Sequence, residues 1–141
     1  MKRKEARAEA MKLVFESAFR DDETSMEIYD RALELRGIEE DGYIRDVFFG
    51  VRKNLEFIDG KITEYSNGWS VRRMSRVALA SMRIAVYEMY FRDDVPDTVA
   101  VNEALENIKV YDDEGTVRKF VNGILNSVLR EKEPAAKDGD K

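Results

Sequence analysis

The chain has 141 residues, enough for one domain with a sizeable core, since 43% of them are apolar. It contains no cysteine and no histidine, so it lacks disulfides, thiolate chemistry and the commonest general base and metal ligand. The net charge of −5 hides a segregation of charge, because the segment from Asp21 to Asp46 is strongly acidic while no acidic residue occurs between Tyr65 and Tyr87. These features leave only carboxylates as metal ligands, no EF-hand spacing occurs, and no catalytic constellation is found in the sequence.

The first twelve residues, MKRKEARAEAMK, are basic and lack the apolar core of a signal peptide. No apolar run elsewhere reaches the roughly 20 residues needed to span a bilayer. We therefore expect a cytoplasmic protein with no membrane partner.

Apolar periodicity predicts helices throughout the first half of the chain. A helix over about residues 6–19 carries an apolar stripe at Met11, Val14, Phe15, Ala18 and Phe19. A capping box, Thr24 with Glu27, predicts a second helix that ends at Gly37. A longer third helix is predicted over about residues 42–65, in which Gly50 and Gly60 indicate close packing or a bend.

The second half is also helical. Trp69 is predicted to be a packing anchor, and the helix over about residues 76–91 is apolar on most sides, which is typical of the buried centre of a bundle. Arg83 within it is expected to pair with Glu88, Glu103 or Glu106. Two more helices, over about residues 99–111 and 117–129, flank an acidic turn as a hairpin, and Gly123 indicates a close approach.

No period-two alternation and no tandem repeat occurs, so we expect an all-α fold of six to eight helices. The residues after Arg130, EKEPAAKDGDK, are polar. Residues 131–141 are therefore predicted to be a disordered tail, outside a single domain over residues 1–130.

Five segments, in this order and spacing, resemble the NusB family of bacterial transcription antitermination factors. They are the basic arm running into KLVFE, the Trp69 segment with Arg73, RIAVYE within residues 82–89, VNEA within residues 95–105, and KFVNGIL over residues 119–125. Each segment is weak alone, but the combination is specific and covers about residues 3–130. The resemblance implies a compact bundle of about seven helices in two small subdomains, over about residues 1–67 and 68–130.

The resemblance also implies a function without catalysis or a cofactor. Proteins of this family bind a single-stranded boxA element in the RNA of ribosomal operons. They do so with NusE, a small-subunit ribosomal protein, and help to assemble an antitermination complex on RNA polymerase. They occur as monomers and as dimers, so a homodimer is a further expectation.

In the family, RNA is contacted by the basic arm and by the region around the turn before KFVNG. Carried over by position, the resemblance implies these RNA contacts in this chain: Lys2, Arg3, Lys4, Arg7, Thr116, Arg118, Lys119 and Phe120. Phe120 also lies on the apolar stripe of its helix, so a place in the core is its alternative. A second candidate set, Arg72, Arg73 and Arg76, either extends the phosphate track or pairs with the acidic segment over residues 21–46.

Two alternatives remain at this stage. NusB-like domains also form the RNA-binding part of ribosomal RNA cytosine methyltransferases, although that interpretation requires a catalytic domain beyond Lys141. The chain could also be a helical adaptor with little RNA affinity, because Glu5 interrupts the basic run of its arm.

Overall fold

The computed structural model describes residues 1–111 and 115–132. Within these ranges the secondary structure consists of helices joined by loops, with no strand. This confirms the prediction of an all-α fold of about seven helices. The elements, in chain order, are α1 (Arg3–Ser17), α2 (Ser25–Arg36), α3 (Gly42–Lys53), α4 (Leu55–Glu64), a 3₁₀ turn (Val71–Arg73), α5 (Arg76–Phe91), α6 (Asp97–Lys109) and α7 (Thr116–Lys132). The acidic residues 112–114 and most of the predicted tail, residues 133–141, lie outside the described ranges.

Helix α5 is the centre of the bundle, as its composition predicted. Every residue from Ala78 to Met89 is buried, and α1, α3, α4, α6 and α7 all pack against this helix. Because α1 packs on both α3 and α5, elements of the two expected subdomains contribute to one continuous core. The division near residue 67 stays a prediction.

Local signals set several helix ends. Thr24 Oγ1 accepts from the Glu27 N–H at 3.1 Å, while the Glu27 carboxylate accepts from the Thr24 N–H at 2.8 Å. Gly37 ends α2 with a φ of 64°, which glycine adopts at little cost. These two predictions are confirmed.

The single long helix predicted over residues 42–65 is wrong, because the chain breaks at Asn54 into α3 and α4. Asn54 has φ −107° and ψ 23°, and its side-chain amide donates to the Gly50 carbonyl at 2.8 Å. The same carbonyl also accepts from the Asn54 backbone N–H at 3.0 Å, so Asn54 closes the end of α3 with two hydrogen bonds to one carbonyl.

The apolar stripe predicted on α1 is confirmed only in part. Met11 and Val14 are buried as predicted, whereas Phe15 is 36% exposed and Phe19 is 63% exposed. The rest of the buried face is formed by Ala6, Ala10, Leu13 and Ser17, together with Arg7. Trp69, predicted as a packing anchor, is 48% exposed.

The three glycines within predicted helices differ in their surroundings. A Cβ atom on Gly50 would lie 2.2 Å from the Tyr87 ring, which confirms close packing there. A Cβ atom on Gly60 or Gly123 would meet nothing within 4 Å, so neither glycine marks a close approach.

The Gly50 contact predicts that Gly50→Ala destabilises the fold by about 1–3 kcal/mol, because Tyr87 must move. Gly60→Ala is the matched control and should be neutral or stabilising by up to about 1 kcal/mol, since alanine favours helix and the site is open. Urea unfolding of both variants measures the difference, and equal losses of stability would contradict the assigned contact.

Helix α7 continues through Glu131 and Lys132, the first two residues of the predicted tail, which corrects the boundary of that tail. The Glu131 carboxylate accepts from Lys61 Nζ, the Tyr65 hydroxyl and the Tyr90 hydroxyl, each at 2.6 Å. These hydrogen bonds, that of Lys61 above all, hold the pKa of Glu131 down at about 2.

Because the folded-state pKa of Glu131 is depressed, its contribution to stability is present above its unfolded pKa of about 4.3 and is lost toward pH 2. We expect Glu131→Gln to be less stable than the parent at pH 6, with the gap closing as pH falls from about 4.5 to 2. Urea unfolding across this range checks the effect, with exposed Glu34→Gln as the control. A difference in unfolding free energy that stays constant with pH would show that the charge of Glu131 does not stabilise the fold.

Candidate nucleic-acid interface

Arg7, expected to contact RNA, instead lies in the interior and is 5% exposed. Its Nη2 donates to Glu88 Oε2 at 2.9 Å, and the Tyr43 hydroxyl donates to the same oxygen at 2.7 Å. Its Nη1 lies 3.5 Å from Glu103 Oε1. Burial and the Glu88 charge raise the pKa of the Tyr43 hydroxyl, so it stays protonated and donates. Arg7 joins α1 to α5 and α6, and the prediction that it contacts RNA is corrected.

The other cations of the arm are exposed but lie in different places. Arg3 covers the Tyr43 ring at 4.4 Å and lies 3.7 Å from the Asp94 carboxylate. Glu5, which interrupts the basic run, accepts from the Lys2 backbone N–H at 3.2 Å and so helps to begin α1. The Lys2 and Lys4 side chains form no ion pair with the described part of the chain.

A groove of about 650 Å³ runs between α1 and the end of α6, and we call it the α1–α6 groove. Lys4 lines it from α1 and Tyr111 from the residues that follow α6. Its apolar lining consists of Ala8, Met11, Phe15, Val77, Val110 and Tyr111, and its charged rim of Lys4, Lys12, Arg36, Lys109, Glu16 and Glu106. Tyr111 is 62% exposed and Val110 77% exposed. The groove therefore combines open aromatic faces with lysines.

The beginning of α7 supplies the second expected contact region. Thr116, Arg118 and Lys119 are exposed in the first turns of this helix. Phe120 is half-buried and packs against the core, in agreement with its alternative interpretation. Gly115 stands four residues beyond Tyr111, so the exposed α7 residues follow the groove closely in sequence.

The remaining arginines separate into structural and surface roles. Arg83 donates twice to the Asp59 carboxylate, at 2.8 Å each, so its three predicted glutamate partners are wrong although its pairing role is right. Arg73 lies over the Trp69 ring at 5.1 Å. Arg72 and Arg76 line a different cleft, whose lining includes Asp21 of the acidic segment, and neither arginine forms an ion pair with the residues that the structure describes.

The groove adds residues that sequence reasoning missed. Phe15 was assigned to the core, and Lys12, Lys109 and Tyr111 were not considered as contacts. The available signal was the spacing of Lys4, Ala8, Lys12 and Phe15, which places them on one helix face. Over residues 1–111 and 115–132, the structure contains no acidic cluster suited to a metal and no helix long and apolar enough to cross a bilayer.

Comparison with known proteins agrees with this architecture. The NusB family profile matches residues 4–130. The transcription antitermination protein NusB of Acetivibrio thermocellus is 44% identical over 134 residues, which cover 94% of this chain and 91% of that protein. A solved structure of T. maritima NusB is 32% identical, with a TM-score of 0.82 and coverage of 99% of this chain and 98% of that one.

A further solved structure, of the antitermination factors NusB and NusE in complex with dsRNA, is 24% identical. It superposes with a TM-score of 0.79 over 92% of this chain and 96% of that one, and so shares the fold. The resemblance found in the sequence is confirmed by the match over residues 4–130 and by the extent of the identity to curated NusB proteins. These matches also confirm the non-enzymatic function that the resemblance implied. The chain belongs to the NusB family of transcription antitermination proteins.

Proposed function

We propose that this NusB-family protein binds boxA-type single-stranded RNA together with NusE and joins the antitermination complex on RNA polymerase, in the cytoplasm. The RNA lies along the α1–α6 groove and reaches the beginning of α7. Lys2, Lys4, Thr116, Arg118 and Lys119 contact it, and Phe120 supports that edge from its half-buried position. Arg3 contacts the RNA at the edge of this surface, where its guanidinium group lies beside Asp94.

The observation that carries this proposal is the placement of Lys4 and Tyr111 in the same groove. Residues more than a hundred positions apart in sequence thereby share one surface. The family resemblance implicates the basic arm and the region around the turn before KFVNG. The groove brings Lys4 of the arm close to Tyr111, which precedes that turn.

The chemistry of the groove suits an unpaired strand. Exposed faces of Phe15 and Tyr111 offer stacking to bases, worth about 1–3 kcal/mol for each base. Lysines around these rings neutralise RNA phosphates. This contribution to affinity falls as the salt concentration rises and does not depend on the base sequence. Because the groove is open, a strand can enter it from the side without any rearrangement of the core.

The methyltransferase alternative is less well supported, because the chain covers 91% of a curated NusB antitermination protein.

The adaptor alternative is tested directly by binding measurements. Titration of labelled boxA RNA and of a scrambled RNA of equal length, with and without NusE, separates the possibilities. We expect boxA to bind more tightly than the scrambled RNA and NusE to increase the difference. Equal binding of both RNAs, unchanged by NusE, would refute the proposal, and NusE binding without RNA preference would favour the adaptor.

A further inference from the structure

A second cleft, of about 630 Å³, is lined by the end of α1, by α3 and α5 and by the 3₁₀ turn, and is rich in arginine. We call it the arginine cleft. Four arginines line it, Arg52 from α3, Arg72 from the 3₁₀ turn, and Arg76 and Arg83 from α5. Asp21 is the one acidic residue in its lining, and the remaining lining residues are Val14, Ser17, Ala18, Val51, Leu55, Val71 and Leu79. A concentration of positive charge is unusual on a protein whose net charge is −5.

Two of the four arginines already have partners. Arg83 is held by Asp59, and Arg52 donates to the Glu23 carbonyl at 2.9 Å. Arg72 and Arg76 form no hydrogen bond or ion pair with the residues that the structure describes. Their guanidinium groups are therefore available to an anion that comes from outside the chain.

The position of Arg76 strengthens this argument. It is the first residue of α5, a helix of 16 residues, where the helix dipole is positive and a cation is unfavourable. No acidic residue occurs between Tyr65 and Tyr87 to compensate it locally. A bound anion would relieve the repulsion between Arg72, Arg76 and the helix end.

Two contacts of exposed aromatic rings connect a residue of the α1–α6 groove with a residue of the arginine cleft. Phe15 lines the groove, and its ring meets Phe19 edge-on at 5.4 Å between centroids. Phe19 is 63% exposed, and Arg76 lies over its ring at 5.9 Å. From groove to cleft, two rings that can stack bases are thus followed by cations that can bind phosphates.

We propose that the RNA strand continues beyond the boxA element, over Phe15 and Phe19, and places a backbone phosphate between Arg72 and Arg76 in the arginine cleft. This inference rests on the proposed RNA binding and extends it to nucleotides that flank the element. The contact reads no base, because guanidinium groups and aromatic faces recognise phosphates and stacking surfaces. The base identity of the flanking nucleotides is therefore unimportant, but their presence increases the affinity.

The test compares a minimal boxA RNA with the same RNA extended by a short uridine run on either its 5′ or its 3′ side. Affinities are measured for the full chain, for the double variant Arg72→Gln/Arg76→Gln, and for the control Lys53→Gln/Arg130→Gln, which removes two exposed cations outside both surfaces. Thermal unfolding establishes that each variant is folded.

We expect one of the two extensions to tighten binding to the parent chain and to the control by about fivefold or more at low salt. The Arg72/Arg76 variant should lose that gain while its affinity for the minimal RNA stays within about twofold. Tight binding of the minimal RNA with no gain from either extension, or a gain that survives in the variant, would overturn the inference and leave the proposed function intact.

Failure of the parent chain to bind even the minimal RNA would refute the proposed function itself, and this inference with it. A third outcome, in which the double variant loses NusE but keeps the gain from the extension, would assign the cleft to an acidic protein surface and would also overturn the inference.

Discussion

Replacement of Arg7 by alanine is expected to lower the free energy of unfolding by about 3–5 kcal/mol, because it leaves the Glu88 carboxylate charged and buried without its cation. For a domain of this size the loss corresponds to a fall in Tm on the order of 10 °C. Thermal and urea unfolding measure it.

Arg3→Ala is the matched control, one helical turn earlier on the same face and exposed. Its pair with Asp94 is at the surface, so the loss should stay below about 1 kcal/mol. A triple variant that replaces Arg7, Glu88 and the Tyr43 hydroxyl together, Arg7→Met with Glu88→Leu and Tyr43→Phe, should recover much of the stability, because no buried charge or donor is left unpaired. Equal effects of Arg7→Ala and Arg3→Ala would contradict the interior position of Arg7.

The second large effect concerns RNA. Replacing Lys2, Lys4 and Lys119 together with glutamine should weaken boxA binding by about tenfold or more at low salt, because three exposed cations of the proposed RNA-contact set are removed. The slope of log affinity against log salt should become shallower by about 0.7 per cation, or about 2 in total, as expected for a single strand. Stability should change little, since none of the three side chains is buried.

The Lys53→Gln/Arg130→Gln variant serves as the control for general loss of positive charge. Titrations at several salt concentrations, repeated for each variant, give the slopes. An unchanged slope in the triple lysine variant would show that the groove does not hold the phosphates.

Much of the fold follows from local pattern. The capping box at Thr24, the glycine stop at Gly37 and the apolar composition of α5 each predict a feature that the structure contains. These signals depend on residues close together in sequence, and their physical cause is local hydrogen bonding or uniform burial.

The failures have a common cause, which is tertiary packing. In α1 the structure buries the face that carries Ala6, Ala10 and Leu13, where α1 packs against α3 and α5, and this leaves Phe15 and Phe19 at the surface. Arg7 is basic and near the chain start, but only the fold brings Glu88, 81 positions away, against it. Asp59 was likewise absent from the expected partners of Arg83, because only the packing of α4 against α5 brings its carboxylate to that arginine.

The candidate site was likewise predicted in part from the sequence and in part only from the fold. The resemblance identified the arm and the residues around KFVNG, whereas the groove that joins them depends on how α1 meets the end of α6. Lys12, Phe15, Lys109 and Tyr111 became candidates only through that geometry.

The placement of the RNA in the α1–α6 groove is tested most directly by a crosslinking map of the protein with boxA RNA that carries photoreactive uridines, in the presence of NusE. We expect crosslinks in α1 at the Lys4–Phe15 face, near Lys109–Tyr111, and at the beginning of α7. Crosslinks confined to a surface away from the α1–α6 groove, such as the exposed aromatic pair Phe57 and Phe91, would contradict this placement.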